Sequence, residues 1–420
     1  MISRVMSAEL AEHAGQRVTI AGWVHRRRQL KSVSFLVVRD RTGLAQVVAA
    51  SDLPGEESVV EVTGTVTASP QAPGGVELVE PEIEVVVEPC AAPPFDLYRP
   101  VVSAGLPTIL DHAPVALRHP LLSAPLEISA ASVAGFRETL DGLGFTEIHT
   151  PKIVASATES GANVFGIDYF GSRAYLAQSP QFYKQAMVGV FERVFEVGPV
   201  FRAEPHDTVR HLAQYTSLDA ELGFVRDHRD VMAVLREVVA GMLESVRRRA
   251  PSAVERAGAI LPEVPAEIPA IHFTEAQELT GSAEPDLSPA QERWLCEWAA
   301  KEHGSEFLFV TGYPMSKRPF YTHPDPARPG YSNGFDLLFR GLELVTGGQR
   351  LHRYPDYVAA LAARGEGLEA YEGYLQAFRY GMPPHGGFAL GLERWTARLT
   401  GAANIRQTTA FPRDLHRLSP

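Results

Sequence analysis

The sequence contains little cysteine, little lysine and no long apolar run, and these shortages exclude several classes of protein. Its 420 residues include two cysteines, Cys90 and Cys296, too few for a disulfide framework or a cysteine-based metal site. We therefore expect a reducing compartment, the cytoplasm. No stretch approaches ~18 uninterrupted apolar residues, so no transmembrane helix and no membrane partner are expected. The N-terminal MISRVMSAEL also lacks the apolar segment of a secretion signal.

Charge is distributed unevenly along a chain whose net charge is −11. Residues 1–50 carry eight basic and three acidic side chains, whereas residues 51–100 carry one basic and ten acidic. A net-acidic protein still binds nucleic acid when a local basic patch faces it. The run Arg26-Arg27-Arg28 is such a patch. The alternative is a solvated turn, and charge by itself does not separate the two interpretations.

Residues 17–87 show the pattern of a small β-barrel. Four short segments, RVTIAGWVH, SFLVVRD, LAQVVAA and SVVEVTGTV, are rich in β-branched residues, and turns containing glycine or proline separate them. A five-stranded OB-fold fits this spacing. An SH3-like barrel fits the pattern as well, so the type of barrel stays open at this point.

The pattern over the whole chain predicts an α+β fold in three parts. Residues 1–88 form the barrel domain, residues 89–122 a linker and residues 123–420 a larger domain. The linker holds seven prolines, a density that argues against a regular helix. A helix is predicted from Leu126 to Leu143, and apolar strands mixed with helices follow it.

Two segments of the larger domain carry residues suited to chemistry. The first, GFTEIHTP at residues 144–151, reads as a helix end, a short strand and a proline, which is also an ordinary connection. The second contains Phe201-Arg202-Ala203-Glu204 before a polar loop. Arg202 and Glu204 share one face of a strand. The guanidinium suits a phosphate and the carboxylate suits an exocyclic amine, although a cross-strand ion pair is the plainer interpretation.

The third segment, GGFALGLER at residues 386–394, combines glycines with an arginine. The glycines permit close backbone packing and a turn from strand to helix. Arg394 would then lie in the first helical turn, beside the positive end of the helix dipole. A structural cation is unfavourable there, so a bound anion or a stacked ring is the better explanation.

In this order and separation, the three segments resemble the signature motifs of class II aminoacyl-tRNA synthetases. Residues 17–87 resemble the OB-fold anticodon-binding domain of the aspartyl, asparaginyl and lysyl group. The resemblance implies a catalytic domain built on an antiparallel sheet flanked by helices. Only 161 residues separate Phe224 from Gly386, too few for the large insert of typical bacterial aspartyl enzymes. The chain therefore resembles the compact archaeal and eukaryotic type.

Two further segments, LAQSPQFYK at residues 176–184 and GGQRLH at residues 347–352, resemble the aspartyl pattern. The resemblance implies ATP-dependent activation of L-aspartate and its transfer to tRNA(Asp). A pocket for the side-chain carboxylate needs a bidentate arginine and a second cation. Arg350 and Lys184 are assigned to it. Lysine is scarce in this chain, which supports a specific need for an ammonium at residue 184.

The resemblance also implies the other residues of the active site and a magnesium ion that accompanies ATP. Arg202, Lys184 and Arg350 would be catalytic. The aspartate site would comprise Glu159, Gln181, Lys184, Asp219 and Arg350. The ATP site would comprise Arg202, Glu204, His211, Tyr215, Glu343 and Arg394, and the magnesium ligands would be Asp336, Glu343 and Thr346.

The anticodon site is expected on the barrel, at His25, Arg26, Arg28, Phe35, Gln46 and Glu77. An exposed aromatic ring suits base stacking, and an amide suits a base edge. Strict relatives tend to carry a bulky tryptophan where this chain has His25 and a lysine where it has Pro73. Their loss predicts that tRNA(Asn) is charged as well as tRNA(Asp). Loop variation without functional effect is the alternative.

Two other functions remain open on the sequence. One is a tRNA-independent paralogue resembling an asparagine synthetase, against which the complete barrel argues. The other is a catalytically inactive RNA-binding module, against which Arg202, Glu204, Glu343 and Arg394 argue. The first motif, which ends at Pro151, forms the two-fold interface in the family, so a homodimer is expected.

Overall fold

The computed structural model describes residues 4–30, 33–50, 53–155 and 163–419, and the chain divides into two compact units, Met1–His119 and Pro120–Pro420. The first unit, called the barrel unit here, closes five strands into a barrel in the order β1-β2-β3-β5-β4. The predicted barrel of five strands is thus confirmed. Its strands are β1 (Arg17–Gln29), β2 (Ser34–Arg39), β3 (Leu44–Ala49), β4 (Val59–Ala68) and β5 (Val76–Val87).

Alternation along the strands decides which side chains fill the barrel. In β2, Leu36 and Val38 are buried, whereas Phe35 and Val37 are partly exposed on the outer face. Successive residues of a strand point to opposite faces, so one apolar set forms the core and the other set faces outward. The outer face is therefore free to carry residues selected for binding.

The proline-rich segment after the barrel contains two short helices, α1 (Leu106–Asp111) and α2 (Ala113–Ala116). The expectation that proline prevents helices here is therefore wrong. Each helix has its proline in the first turn, where the missing N–H has no intrahelical partner to lose. The two units divide after His119, within the predicted linker.

The second unit, called the catalytic unit here, is built on an eight-stranded sheet in the order β12-β13-β16-β17-β18-β11-β10-β6. The central strands are antiparallel as expected, but the edge pairs β12–β13 and β10–β6 are parallel. Parallel neighbours require a crossover, and helices lie between the members of both pairs. The strands of this unit are β6 (Thr146–Glu147), β7 (Ile153–Val154), β8 (Gly166–Tyr169), β9 (Ser172–Leu176), β10 (Arg193–Phe201), β11 (Gln214–Gly223), β12 (Ala270–His272), β13 (Phe307–Thr311), β14 (Pro324–Asp325), β15 (Arg328–Ser332), β16 (Gly334–Phe339), β17 (Leu342–Arg350) and β18 (His385–Gly391).

Helices cover this sheet and bury its core. Ile128 and Phe136 of α3 (Pro120–Gly142) pack in one cluster with Phe388 and Trp395. That helix begins at Pro120, earlier than predicted, and continues through Pro125 in its interior. Proline is tolerated in the first turn but disfavoured further on, so packing in the core supports the helix through Pro125. No described helix is long and apolar enough to span a bilayer. The helices are α3 (Pro120–Gly142), α4 (Gln181–Phe191), α5 (His228–Arg249), α6 (Pro251–Ala257), α7 (Phe273–Thr280), α8 (Pro289–His303), α9 (Tyr354–Ala363), α10 (Glu372–Arg379) and α11 (Leu392–Thr400).

Candidate functional site

One cavity of the catalytic unit, called the central cavity here, has a volume of about 290 Å³ and gathers most of the residues that the sequence proposed for catalysis. Lys184, Asp219 and Asp336 are not among its lining residues, and Glu159 lies outside the described residues. The proposed residues that line the cavity are Gln181, Arg202, Glu204, His211, Tyr215, Glu343, Thr346, Arg350 and Arg394.

Aromatic and cationic side chains meet at one end of the central cavity. Arg202 follows β10, and its guanidinium carbon lies 5.7 Å from the centre of the Tyr215 ring on β11. Arg394 is the third residue of α11, as the sequence predicted. A Cβ atom added to Gly391 would lie 3.9 Å from the Tyr215 ring and 4.0 Å from Cβ of Arg394. The guanidinium of Arg202 beside the Tyr215 ring, with Arg394 close to Gly391, suits a nucleotide base next to its phosphates.

The glycines of the third motif allow β18 to approach its neighbour β11. A Cβ atom on Gly387 would lie only 2.1 Å from the carbonyl oxygen of Ala220 and 2.2 Å from Oε2 of Glu221. Any side chain at residue 387 would displace the backbone or that carboxylate. The carbonyl of Gly387 also accepts a hydrogen bond at 3.0 Å from Nη2 of Arg350, so its backbone helps to orient this cation, which lines the cavity.

Arg350 connects the central cavity to a buried network of two cations and two carboxylates. Nε of Arg350 donates to Glu221 at 3.0 Å, and Nζ of Lys184 donates to Asp219 at 2.9 Å. The same Nζ lies 3.4 Å from Glu221 and donates to the carbonyl of Phe388 at 3.1 Å. The charges balance within the network, which offsets much of the cost of removing them from water.

Glu221 connects the two cations and has no assigned role in the sequence-based site. Burial by itself would raise the pKa of Glu221, but the charges of Arg350 and Lys184 outweigh it and lower that pKa below its usual range. The sequence does contain a signal for Glu221, because Ser217, Asp219 and Glu221 alternate along β11 and therefore share a face. Lys184 serves as a counter-charge to Glu221. Its direct contact with the substrate stays a prediction.

Of the three proposed magnesium ligands, two line the central cavity. Oγ1 of Thr346 donates to Oε1 of Glu343 at 2.7 Å, which groups hard oxygen atoms at one wall. Asp336 is instead paired with Arg318 at 3.0 Å. Burial raises the pKa of Asp336 to about 6 against the opposing effect of Arg318. Glu343 and Thr346 therefore fit a magnesium ion, whereas direct coordination by Asp336 does not fit its pairing with Arg318.

The loop between β10 and β11, which carries His211, is held by the C-terminal segment. The guanidinium of the buried Arg406 donates to Asp207 at 2.8 Å, to the carbonyl of Thr208 at 3.2 Å and to Asp414 at 2.5 Å. Burial, followed by the charge of Arg394, lowers the pKa of His211. Sequence reasoning missed Arg406, because its partners Asp207 and Thr208 are distant in the chain.

Replacing Arg406 with alanine should therefore release the loop. Charge-assisted hydrogen bonds contribute about 1.5–3 kcal/mol each, so we expect the KM for ATP to rise at least about tenfold. Steady-state ATP–pyrophosphate exchange measures this. Arg413→Ala is a matched control, since the Arg413 side chain donates to carbonyls of the tail rather than to the loop. An unchanged KM in a folded Arg406→Ala protein would show that the loop does not depend on this clamp.

Most of the proposed anticodon residues lie together on the outer face of the barrel unit. Phe35 on β2 pairs in register with Arg28 on β1, and Gln46 on β3 pairs with Glu77 on β5. Nε2 of Gln46 donates to Glu77 at 2.7 Å. Arg26 lies over the Tyr98 ring at 5.4 Å. The face thus combines a partly exposed ring, base-edge hydrogen-bonding groups and cations, the combination that suits single-stranded RNA.

His25 does not lie on that face, so the prediction that it contacts an anticodon base is wrong. It lies at a β-bulge of β1 and is only 8 % exposed. Its Nδ1 is 3.1 Å from Nη1 of Arg39, which pairs with Glu57, and Arg118 donates to the same carboxylate. Burial and the Arg39 charge lower the pKa of His25 to about 4. The bulge, which the sequence pattern does not reveal, turns this side chain inward.

Comparisons with known proteins agree with this geometry. Residues 106–415 match the family described as tRNA synthetases class II (D, K and N), and residues 18–86 match the OB-fold nucleic acid binding domain. The chain is similar to the asparaginyl-tRNA synthetase from Pyrococcus horikoshii complexed with asparaginyl-adenylate, with a TM-score of 0.92 and 32% identity over 100% of both chains.

Similarity is higher to two bacterial relatives, each named aspartate–tRNA(Asp/Asn) ligase. The relative from Thermus thermophilus is 48% identical over 99% of this chain and 100% of its own length. The relative from Deinococcus radiodurans is 48% identical over 100% of this chain and 99% of its own length. With a family match over most of the chain, both domains present and full-length relatives at this identity, the chain belongs to the class II tRNA synthetases of the aspartyl, lysyl and asparaginyl group.

Proposed function

We propose that this protein is an aspartate–tRNA ligase that activates L-aspartate with ATP and transfers it to tRNA(Asp) and tRNA(Asn). The observation that carries the proposal is the central cavity, whose lining combines Arg350 with Arg202, Tyr215 and Arg394. A bidentate arginine suits a carboxylate, and the ring with its arginines suits an adenosine phosphate. The names of the relatives at 48% identity support the same activity.

The chemistry needs positioning and charge neutralisation more than acid–base catalysis. The α-carboxylate of aspartate is already an anion and attacks the α-phosphorus of ATP, with pyrophosphate leaving. Arg202 neutralises charge that develops on the α-phosphate, while Tyr215 and Arg394 hold the adenine between them. Glu343 and Thr346 would hold magnesium, which supplies positive charge to the phosphates when bound with ATP. The aspartyl group then passes to the terminal adenosine of tRNA.

The expected activity is tested by ATP–pyrophosphate exchange with aspartate, followed by transfer to tRNA. A ligase performs both steps. A tRNA-independent paralogue performs the first alone, and an inactive RNA-binding module performs neither. Asparagine in place of aspartate is the control for the amino acid. The pairing of Arg350 with a carboxylate predicts that asparagine supports exchange at least about a hundredfold less well, since an amide leaves the cation unpaired.

Purified tRNA(Asn) should be aspartylated with kcat/KM within a fewfold of that for tRNA(Asp). Because His25 is turned into the network of the barrel unit, its position presents no bulky ring to oppose the wrong third base. Each unfavourable contact of this kind weakens binding of the wrong base by about 1–3 kcal/mol. Pro73→Lys, which restores a cation in the turn before β5 without entering that network, is the matching variant and should lower charging of tRNA(Asn) selectively. A kcat/KM for tRNA(Asn) several hundredfold below that for tRNA(Asp) would mean that the parent enzyme is strict.

A homodimer is proposed because the first motif, ending at Pro151, forms the two-fold interface of the family. Close to that motif, Arg137 and Glu147 form an ion pair at 2.8 Å that joins α3 to β6. We expect light scattering at micromolar concentration to give twice the chain mass of 45.8 kDa. A monomeric mass under these conditions would contradict the proposal.

A further inference from the structure

A second cavity of the catalytic unit, called the arginine cavity here, adjoins the central cavity and has no part in the chemistry described above. Its volume is about 640 Å³. It lies against the outer side of α11 and the loop that follows this helix. Arg210, Arg394 and Ile405 line both cavities, so the two share a wall.

The lining of the arginine cavity is strongly cationic. Among the described residues that line it, four are arginines and one, Glu306, carries a carboxylate. Glu306 is already used, because both of its oxygens accept hydrogen bonds from Arg340. Arg340 also donates to the carbonyls of Arg398 and Ile260, at 3.0 and 2.8 Å. Arg340 and Glu306 therefore form the wall, and the described lining offers Arg210, Arg394 and Arg398 no further carboxylate. Glu292 on α8, outside the lining, is a nearby carboxylate whose charge acts on these arginines.

Arg398 is the residue that most clearly points to a ligand. It lies one helical turn after Arg394 on α11, and its Nε is buried without a hydrogen-bond partner among the described residues. A buried donor left unpaired is costly, so such groups usually serve a binding partner. Burial, followed by the charge of Arg210, lowers the pKa of Arg398, and the opposing charge of Glu292 does not cancel this effect.

We propose that the arginine cavity is a second anion site that binds condensed inorganic phosphate, such as pyrophosphate, beside the central cavity. Planar guanidinium groups match phosphate oxygens in pairs, and several arginines around one space favour an anion with several charges over a single carboxylate. The shared wall places the site next to the position where the proposed reaction would release pyrophosphate. The source of the ligand rests on the proposed function, whereas the binding itself does not.

Calorimetric titration of the full-length protein with magnesium pyrophosphate tests the proposal. Aspartate and α,β-methylene-ATP are present at saturation, so that the phosphate positions of the central cavity are filled. We expect one equivalent of pyrophosphate to bind, with affinity lowered about tenfold or more in Arg398→Ala, because a charge-assisted contact is lost. Arg229→Ala removes an exposed arginine on α5 outside the cavity and should leave the affinity unchanged.

A second variant, Ala397→Glu, guards against misfolding of Arg398→Ala. It adds a carboxylate to the lining without removing a native contact of the arginine, and it should also weaken pyrophosphate binding at least about tenfold. Absence of binding to the analogue-saturated protein, or equal affinity in parent and folded variants, would overturn the proposal. If the ATP analogue itself fails to bind, the proposed function fails. Pyrophosphate is then titrated alone, and loss of binding in Arg398→Ala but not in Arg202→Ala supports the second site.

The source of the anion is separated by kinetics. Stopped-flow detection of pyrophosphate release should show a severalfold change in Arg398→Ala if the reaction's own product passes through the site. An unchanged release rate together with weakened binding would assign the site to phosphate from the medium, for which tripolyphosphate is the probe. Either kinetic result is compatible with the anion site, which is refuted by the two binding outcomes given above.

Discussion

Replacing Arg350 with leucine should lower kcat/KM for aspartate by at least about a hundredfold in ATP–pyrophosphate exchange. The loss corresponds to ~3 kcal/mol, the order expected when a carboxylate loses a bidentate, charge-assisted partner in a buried site. Arg350 is 7 % exposed and lines the central cavity, so a substrate carboxylate that reaches it would be largely desolvated. The KM for ATP should change much less, because Tyr215 and Arg394, which are proposed to bind ATP, lie beside Gly391. Arg350 pairs in register with His385, at the opposite end of β18.

Arg350→Leu is also expected to lower stability, and the experiment must distinguish this effect from the loss of aspartate binding. Arg350→Leu also leaves Glu221 without its main partner, and an uncompensated buried charge typically costs about 3–5 kcal/mol of stability. A double variant, Arg350→Leu with Glu221→Gln, removes that charge and should recover stability without recovering aspartate kinetics. Arg379→Leu, which removes an exposed arginine on α10, is the control. Aspartate kinetics close to those of the parent in either Arg350 variant would refute the assignment.

Replacing Glu343 with alanine should lower the rate of adenylate formation about a hundredfold and shift the magnesium titration to higher concentration. An oxygen ligand and a negative charge would be lost from the wall that also carries Thr346. Glu343→Gln keeps the size of the side chain and the acceptor for Thr346, and it should show most of the same loss. The exposed Glu297→Ala on α8 is the control.

The magnesium titration distinguishes a ligand from a merely structural carboxylate. A structural role would lower the rate at every magnesium concentration and leave the midpoint unchanged. If Glu343→Ala retained both the parent's rate and its midpoint, Glu343 would not contact the metal, and Asp336 would need to be reconsidered after disruption of its pairing with Arg318.

Much of the candidate site could be predicted from the sequence because its chemistry restricts residue types within short segments. The strand predicted to carry Arg202 and Glu204 ends at Phe201, so both residues lie just after β10. Arg394 follows Gly391, the last residue of β18. Local spacing of this kind predicts which side chains leave an element together. All three residues line the central cavity, as the resemblance to class II synthetases implied.

The barrel was predictable for a similar reason, whereas the connections were not. Alternation along a strand is local, so the inward set that includes Leu36 could be recognised, and with it the outward position of Phe35. Helix boundaries near proline were predicted wrongly, at α1, α2 and the start of α3. In α1 and α2 the proline lies in the first turn, where it is tolerated, and α3 continues through Pro125 because its packing supports it. Composition reports neither the position of a proline nor that packing.

The sequence by itself determined the family, the barrel and the types of residue at the candidate site. Only the tertiary structure decided which charged side chains reach the cavity and which are enclosed. Lys184 is held by Asp219 and by Phe388, which lie 35 and 204 residues further along the chain, and His25 turns inward to Arg39. Burial and ion pairing depend on partners that folding brings together from distant segments. A short motif specifies a side chain, but the surrounding elements set its exposure, its counter-charge and therefore its role.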